Sequence, residues 1–279
     1  MAKSTTIHGI IVRRHWVHPS PFDPYLPMRV DDPLLQATFV ERPNRFVIHA
    51  RLAETGEVVR AHCPNPGRMH ELLLPGAVVY LSRAEDPRRR TPYTLRFIEH
   101  PQHGQLISLN TQLPNQLFAE GLATGFFPQF QGYSRVQREV SVPHPSANGV
   151  VSRVDFRLSR PDAPACWVET KSVTLVHEDG LAEFPDAPTT RGRRHVEELA
   201  GLVAQGDRAC VVFIVQRPDA TRLRANRTTD PAFAQALEQA VAQGVEVYAY
   251  TCRVTLGCIS LAGPIPVETS GMENKMEHG

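Results

Sequence analysis

The first half of the chain alternates hydrophobic and polar side chains with a period of two residues, which is typical of half-buried β-strands. Five such runs lie at residues 35–41, 45–52, 58–62, 77–83 and 94–100. Turn-forming residues separate the second run from the third, and residues 72–74 predict a helical turn after the third. This series of short strands predicts an OB-like β-barrel.

The second half mixes helical and strand patterns. Helices are predicted at 110–125, 191–205 and 231–243, and strands at 134–142 and 245–250. The continuous apolar run CVVFIVQ (210–216) indicates a strand that is buried on both faces. This order predicts an α/β domain around a central mixed sheet, so the whole chain is expected to be of the α/β (α+β) class.

These patterns divide the chain into four segments. Closely spaced prolines at 19, 21, 24 and 27 predict that residues 1–32 form a poorly ordered extension. The OB-like domain is predicted at 33–105 and the α/β domain at 106–265. Residues 266–279 are predicted to form a polar tail.

The stretch 151–173 concentrates the candidate chemistry. It predicts two strands joined by a turn, with Asp155 on the first and Glu169 and Lys171 on one face of the second. Two carboxylates and the Thr170 carbonyl can hold a divalent cation that prefers oxygen ligands. A lysine beside that ion can orient or help deprotonate a water molecule, as phosphodiester hydrolysis requires. The alternative is an exposed hairpin whose Glu/Lys face has no function.

Composition narrows the class of protein. The 279 residues include 42% hydrophobic and 21% charged side chains, as in soluble globular proteins. The formal net charge of +1 means that nucleic-acid binding would depend on local basic clusters, such as 88–90, 191–194 and 217–227. Five cysteines without a C-x-x-C pair argue against a disulfide framework and a structural zinc site. Without a signal peptide or transmembrane run, a cytoplasmic protein with no membrane partner is expected.

The loop HCPNPGRM (62–69) is dense in Pro, Gly and Asn. Its backbone amides and Arg68 can meet a phosphate, and so can Arg42 and Arg45 nearby. We therefore expect Arg42, Arg45, Asn65 and Arg68 to grip a nucleic-acid strand. The alternative is a rigid turn with surface arginines.

Several motifs resemble one known family. They are SRVDF (152–156), VETKSVTL (168–175), FPDAPTTRG (184–192), VVFIVQR (211–217), RPNRF (42–46), HCPNPGRM (62–69) and NTQLPN (110–115). Together they resemble the sugar fermentation stimulation protein A (SfsA) family over residues 34–265. The resemblance implies an OB-like N-terminal domain, a PD-(D/E)xK nuclease-like C-terminal domain, and nucleic-acid binding.

The resemblance also implies roles for single residues. In the nuclease superfamily one carboxylate lies on the second strand, an E-x-K motif on the third, and an acid on the first core helix. These positions match Asp155, Glu169 with Lys171, and Glu120. All four would be catalytic, and Asp155, Glu169 and Glu120 would bind the metal. The alternative for Glu120 is an ordinary exposed glutamate.

The helix after the E-x-K strand often adds polar groups in that superfamily. Arg191 and His195 lie four residues apart, on one helical face, and would contact the nucleic acid. Gln216, at the end of the next strand, would support the site. The alternative for Arg191 and His195 is a charged helix face.

These observations predict a Mg²⁺- or Mn²⁺-dependent nuclease that acts on DNA or RNA. The rival is a non-catalytic DNA-binding transcriptional regulator of sugar (maltose-type) metabolism, and a saccharide-binding OB module is a third class. The sequence leaves open DNA or RNA, single or double strands, internal or terminal cleavage, and the oligomeric state, including a homodimer.

Overall fold

The structure is a computed structural model, and it describes residues 28–29, 33–86, 88–143 and 152–269. The first strand, β1 (Met28–Arg29), pairs with a strand near the other end of the chain. Most of the predicted N-terminal extension and all but the start of the predicted tail lie outside the described residues. Within the described ranges, none of the helices is long and apolar enough to cross a membrane.

The N-terminal domain is a closed β-barrel. Its strands are β2 (Leu34–Asn44), β3 (Val47–Leu52), β4 (Val58–His62), β5 (Val78–Arg83), β6 (Tyr93–Glu99) and β7 (Leu106–Ser108). They are ordered β4-β3-β2-β5-β6-β7, and a parallel pairing of β4 with β6 closes the first five into a barrel. Alternate residues such as Ile48, Ala50 and Val79 fill the interior. The predicted OB-like barrel is confirmed.

The C-terminal domain is built on a seven-stranded mixed sheet, ordered β1-β15-β14-β12-β10-β9-β8. Its elements are α1 (Leu113–Ala123), β8 (Arg135–Ser141), β9 (Arg153–Ser159), β10 (Cys166–Val173), β11 (Leu181–Phe184), α2 (Thr190–Ala204), β12 (Arg208–Val215), β13 (Arg222–Ala225), α3 (Pro231–Ala242), β14 (Glu246–Thr255), β15 (Cys258–Ile265) and β16 (Val267–Glu268). The central strands β10, β12 and β14 run parallel. A small sheet, β11-β13-β16, lies beside the main one.

Helices cover both faces of the main sheet. Leu117 and Phe118 of α1 pack with Phe156 on one face, and Val196 and Leu199 of α2 pack with the opposite face. As predicted, α2 begins at a threonine cap, because the Thr189 hydroxyl accepts from the amide of Gly192 (3.0 Å). This cap places the first turn of α2 beside the end of β10.

Some strands lie where the sequence predicts none. β11 lies in a stretch for which no strand or helix is predicted, whereas β1 and β16 lie inside the predicted extension and tail. β7 begins one residue beyond the predicted end of the OB-like domain. Strands of two to four residues are too short to show a periodicity, so only their pairing with distant strands reveals them.

Candidate active site

Asp155 on β9 is held by hydrogen bonds from two elements. Its Oδ1 accepts from Nδ2 of Asn115 on α1 (2.8 Å). Its Oδ2 accepts from the amide (2.7 Å) and the hydroxyl (2.9 Å) of Thr170 on β10. The Thr170 hydroxyl also contacts the Asn115 side-chain oxygen. The carboxylate is thereby fixed between α1 and β10.

The pairing of β9 with β10 ends just before the site. The last paired residues are Phe156 and Val168. One step further along the strands are Glu169 and Asp155, and both line the same groove. The amide of Thr170 donates to the Asp155 carboxylate at this point rather than to the β9 backbone. The sequence pattern predicts that these polar groups meet. The structure adds that the pairing of β9 with β10 ends where they meet.

Glu169 is the centre of a buried chain of polar contacts. Its Oε1 accepts from Nζ of Lys171 (2.7 Å) and from Nδ1 of His195. Nε2 of His195 accepts from Nε of Arg191 (3.3 Å), which assigns the neutral Nδ1–H tautomer to this histidine. Glu169 is only 4% exposed and His195 only 2%. His195 therefore contacts Glu169 from the interior of the domain. It is too buried to contact a nucleic acid directly, contrary to its predicted role.

The pKa values of the two carboxyl groups move in opposite directions. Burial raises the pKa of Glu169, but Lys171 and His195 outweigh burial and lower this pKa to about 2. Burial and the nearby charge of Glu169 raise the pKa of Asp155, against the hydrogen bonds from Thr170 and Asn115. Divergent pKa values in neighbouring carboxyl groups are typical of catalytic sites.

These groups line an open, mostly polar groove with a volume of about 550 Å³. Its lining residues are Thr111, Gln112, Asn115, Gln116, Arg138, Glu139, Asp155, Glu169, Thr170, Lys171, Thr189, Arg191 and Gly192. Lys171 is the only lysine among the described residues, and the other strongly basic side chains there are arginines. An ammonium group can exchange its proton, whereas a guanidinium stays protonated, so this position has distinct chemistry.

The groove offers oxygen ligands of the kind that Mg²⁺ and Mn²⁺ prefer. The Oε2 atom of Glu169 is buried and has no hydrogen-bond partner in the described part of the chain. Asp155 contributes a second carboxylate. No set of three or more His, Cys, Asp or Glu side chains is arranged for a metal ion in the described residues. The donor set fits an ion that keeps several waters and is also bound by substrate phosphate, as Mg²⁺ usually is.

Two predicted site residues lie elsewhere. Glu120 is not among the lining residues of the groove, and α1 presents Asn115 and Gln116 there. Five residues turn a helix by about 500°, so Glu120 points about 140° away from Asn115. Gln216 is fully buried, and its Nε2 donates to the Asn110 carbonyl (3.0 Å) and the Ser172 hydroxyl (2.7 Å). Gln216 thus connects the end of β12 to the segment between the domains.

No role is predicted from the sequence for Asn115, Arg138 or Glu139 in the groove, and Thr170 is predicted to act only through its carbonyl. Asn115 and Thr170 lie within the NTQLPN and VETKSVTL motifs, so the motifs carried a signal for them. Arg138 and Glu139 lie on β8, where no pattern marks them. Glu139 adopts a left-handed backbone conformation (φ 51°), which is uncommon for a residue other than glycine and is concentrated at functional sites.

The predicted phosphate-binding loop of the barrel is used internally. Arg42 donates to four backbone carbonyls, those of Gly67 (2.6 Å), Arg68 (2.9 Å), Arg45 (2.8 Å) and Asn65 (2.9 Å). The buried Asn65 accepts from the amide of Gly67 (2.8 Å). Arg42 and Asn65 therefore organise the loop, and the alternative of a rigid turn applies to them.

The backbone amides of this loop already bind a carboxylate of the protein itself. Asp186 of the second domain accepts from the backbone amides of Arg68 and Met69. A Cβ atom on Gly67 would lie 2.0 Å from Asp186 Oδ2, so glycine is required for this approach. The side chains of Arg45 and Arg68 remain exposed. The loop thus joins the two domains and leaves those two arginines available to a phosphate.

Family models match most of the chain. One described as the SfsA N-terminal OB domain matches residues 40–109, and one described as the sugar fermentation stimulation protein RE domain matches residues 112–257. The boundary between the two models coincides with the segment that links β7 to α1.

Curated relatives and a solved structure agree with these models. The sugar fermentation stimulation protein homolog of Moorella thermoacetica is 46% identical over 84% of this chain and 97% of its own length. The homolog of Chloroflexus aurantiacus is 44% identical over 88% of this chain and 90% of its own. The structure of Pyrococcus furiosus SfsA in complex with Ca²⁺ aligns with a TM-score of 0.74 and 32% identity, covering 86% of this chain and 98% of that one.

Proposed function

The chain belongs to the sugar fermentation stimulation protein (SfsA) family, and we propose that it is a Mg²⁺- or Mn²⁺-dependent nuclease acting on DNA or RNA. One observation carries the proposal: Asp155 and the Glu169–Lys171 pair meet in a single polar groove, with carboxyl pKa values that diverge. Neither a solvated hairpin nor a structural ion pair requires this convergence.

Asp155 and Glu169 would hold the cation, together with the Thr170 carbonyl. The ion would supply Lewis-acid chemistry by polarising the scissile phosphate. The Pyrococcus furiosus relative is described in complex with Ca²⁺, a cation that also takes oxygen ligands. Glu120, which lies outside the groove lining, would act only through water or through another residue.

The remaining groups of the groove orient the two carboxylates and the attacking water, and they balance the negative charge of the phosphate. Asn115 and Thr170 orient Asp155, and His195 orients Glu169, so the carboxylates need no rearrangement when substrate arrives. Nζ of Lys171 is the group placed to orient the attacking water and to exchange a proton with it. Arg191, on the groove wall, would stabilise negative charge that develops on the phosphate.

The barrel would hold the strand through a small exposed patch. Phe46 is 52% exposed at the turn between β2 and β3, and the Arg45 guanidinium lies 5.9 Å from its ring centroid. An exposed aromatic ring beside an arginine suits a stacked base and its phosphate. Arg68 is exposed on the neighbouring loop. Of the four residues predicted to grip the strand, this patch keeps Arg45 and Arg68 and omits Arg42 and Asn65.

The second candidate function is a DNA-binding regulator that retains the fold without turnover. The relatives' shared name, which refers to sugar fermentation, favours it. The two functions make different use of Lys171: a nuclease needs its ammonium group for reaction, whereas a regulator needs it only for stability.

Cleavage of labelled single- and double-stranded DNA and RNA separates the two. The reactions contain Mg²⁺, Mn²⁺ or chelator and compare the wild type with Lys171→Ala. Arg253→Ala, an exposed strand position near the opposite edge of the sheet, is the matched control. We expect metal-dependent cleavage that is lost in Lys171→Ala and retained in the control. Salt-sensitive binding without cleavage of any substrate would favour the regulator.

A further inference from the structure

Strands β8 and β9 form an edge of the main sheet that is rich in arginine. Five arginines belong to it: Arg135, Arg138, Arg153, Arg157 and Arg160. We call these two strands and Arg160 the arginine ribbon. β8 is the terminal strand of the sheet, and each of its seven residues is exposed or half-buried. Most side chains of this strand are therefore exposed to solvent.

The strands of the ribbon carry few acidic residues. The acidic residues on its strands are Glu139 and Asp155, and both face the groove. Among the described residues, the structure shows no carboxylate ion pair for Arg135, Arg153 or Arg160.

The arginines around β13 provide the contrast. Arg222 pairs with Asp179 and Glu268, Arg224 pairs with Glu183, and Arg227 pairs with a carboxylate of α3. The arginines around β13 are thus paired with carboxylates, whereas Arg135, Arg153 and Arg160 show no such pair in the described part of the chain.

Aromatic rings hold several ribbon guanidinium groups in place. Arg157 lies 5.3 Å from the ring centroid of Trp167, and Arg160 lies 5.4 Å from that of Tyr133. Stacking on a ring restricts a guanidinium but leaves N–H groups at its edge that can bind a phosphate. Less conformational entropy is then lost when a phosphate binds.

The candidate catalytic carboxylate lies inside this ribbon. Along β9, Arg153 lies two residues before Asp155, and Arg157 lies two residues after it. Two residues of a strand span about 7 Å, so the two arginines flank Asp155 on the scale of neighbouring phosphate groups. A phosphodiester at Asp155 would then have each neighbouring phosphate within reach of one of these arginines.

From this arrangement we propose that the arginine ribbon binds the phosphate backbone of the nucleic-acid strand and directs it across Asp155. The inference rests on the proposed function, because it assigns a binding surface to the same groove. It also moves the main contact with the strand from the barrel loop to the edge of the C-terminal sheet. Charged residues also protect edge strands against aggregation, and that role alone would require no affinity for nucleic acid.

Fluorescence anisotropy with labelled oligonucleotides, in chelator, measures binding without turnover. The variants are Arg135→Gln and Arg153→Gln, separately and together, because both side chains are exposed. Arg253→Gln, an exposed arginine on β14, is the control. Each ribbon variant should weaken binding about five- to tenfold at 0.1 M salt and reduce the slope of log K against log salt by about one. The control should change neither quantity, and thermal melts check that all variants fold.

The results separate this inference from the nuclease proposal. Equal losses in the ribbon variants and the control, an unchanged salt slope, or no binding by the wild type would overturn the ribbon. Weaker binding in the ribbon variants without cleavage by the wild type would leave the ribbon standing and remove the nuclease. Cleavage that depends on Lys171, together with unaltered affinity in the ribbon variants, would support the nuclease and overturn the ribbon.

Discussion

Replacing Lys171 with methionine removes an ammonium group and keeps most of the side-chain volume. In the wild type, Nζ lies 2.7 Å from Oε1 of Glu169, and the two side chains are 11% and 5% exposed. The variant leaves a buried carboxylate with His195 as its remaining charge-stabilising partner. Removing one member of a buried pair costs roughly 3–5 kcal/mol, so we expect a clear loss of stability.

The pKa of Glu169 gives a second measure of the same interaction. Its lowering from 4.5 to about 2 corresponds to roughly 3 kcal/mol of stability at neutral pH. Because the folded value lies below the unfolded one, this stabilisation is fully present above about pH 4.5 and is lost as the pH falls towards 2. The gap in unfolding free energy between wild type and Lys171→Met should therefore be largest near pH 7 and shrink below about pH 5.

Urea unfolding in chelator, followed by circular dichroism and tryptophan fluorescence, tests this expectation. The double variant Glu169→Gln/Lys171→Met is the matched control, because it removes both charges. Replacing both members of a buried pair is often close to neutral, so most of the lost stability should return. The stabilising role of Lys171 is refuted if the single variant lies within about 1 kcal/mol of the wild type at pH 7. A double variant no more stable than the single one would refute it as well.

Two further predictions concern neighbouring groups. Asn115→Ala removes a hydrogen bond to the ionised form of Asp155, so the pKa of Asp155 should rise further in an NMR titration of carboxyl groups in chelator; an unchanged or lower value would contradict this. Arg42→Met removes donors to four carbonyls and should reduce the unfolding free energy by roughly 2–4 kcal/mol. The exposed Arg45→Met should change it by less than about 0.5 kcal/mol, and equal effects would argue against the organising role of Arg42.

The elements that the sequence predicted well are those with long, strong patterns. The barrel strands alternate over five to eleven residues, and α2 and α3 begin at capping residues, Thr189 and Asp230, that the sequence shows directly. The omitted elements are mostly short. β16 has two residues, and only pairing with β13 makes it a strand.

The residues of the candidate site divide in the same way, into those that a local pattern marks and those that distant contacts place. Asp155, Glu169 and Lys171 were predicted, because strand periodicity places them on shared faces and their motifs resemble those of a known family. No role is predicted for Asn115, and only the carbonyl of Thr170 has a predicted role, because both side chains hold Asp155 through hydrogen bonds that span 40 and 15 residues of the chain. His195 was predicted as a surface contact but lies beneath Glu169.

The barrel strands, the three helices and the meeting of Asp155, Glu169 and Lys171 could be predicted from the sequence alone, because periodicity, caps and motif spacing are local properties. Tertiary structure decided which polar groups remain available. Arg42 is used by backbone carbonyls of its own loop, and the amides of that loop are used by Asp186 from the other domain. The pKa of Glu169 on β10 likewise depends on His195, which belongs to α2. Burial and hydrogen-bond partners come from residues distant in the chain, and so no local pattern can specify them.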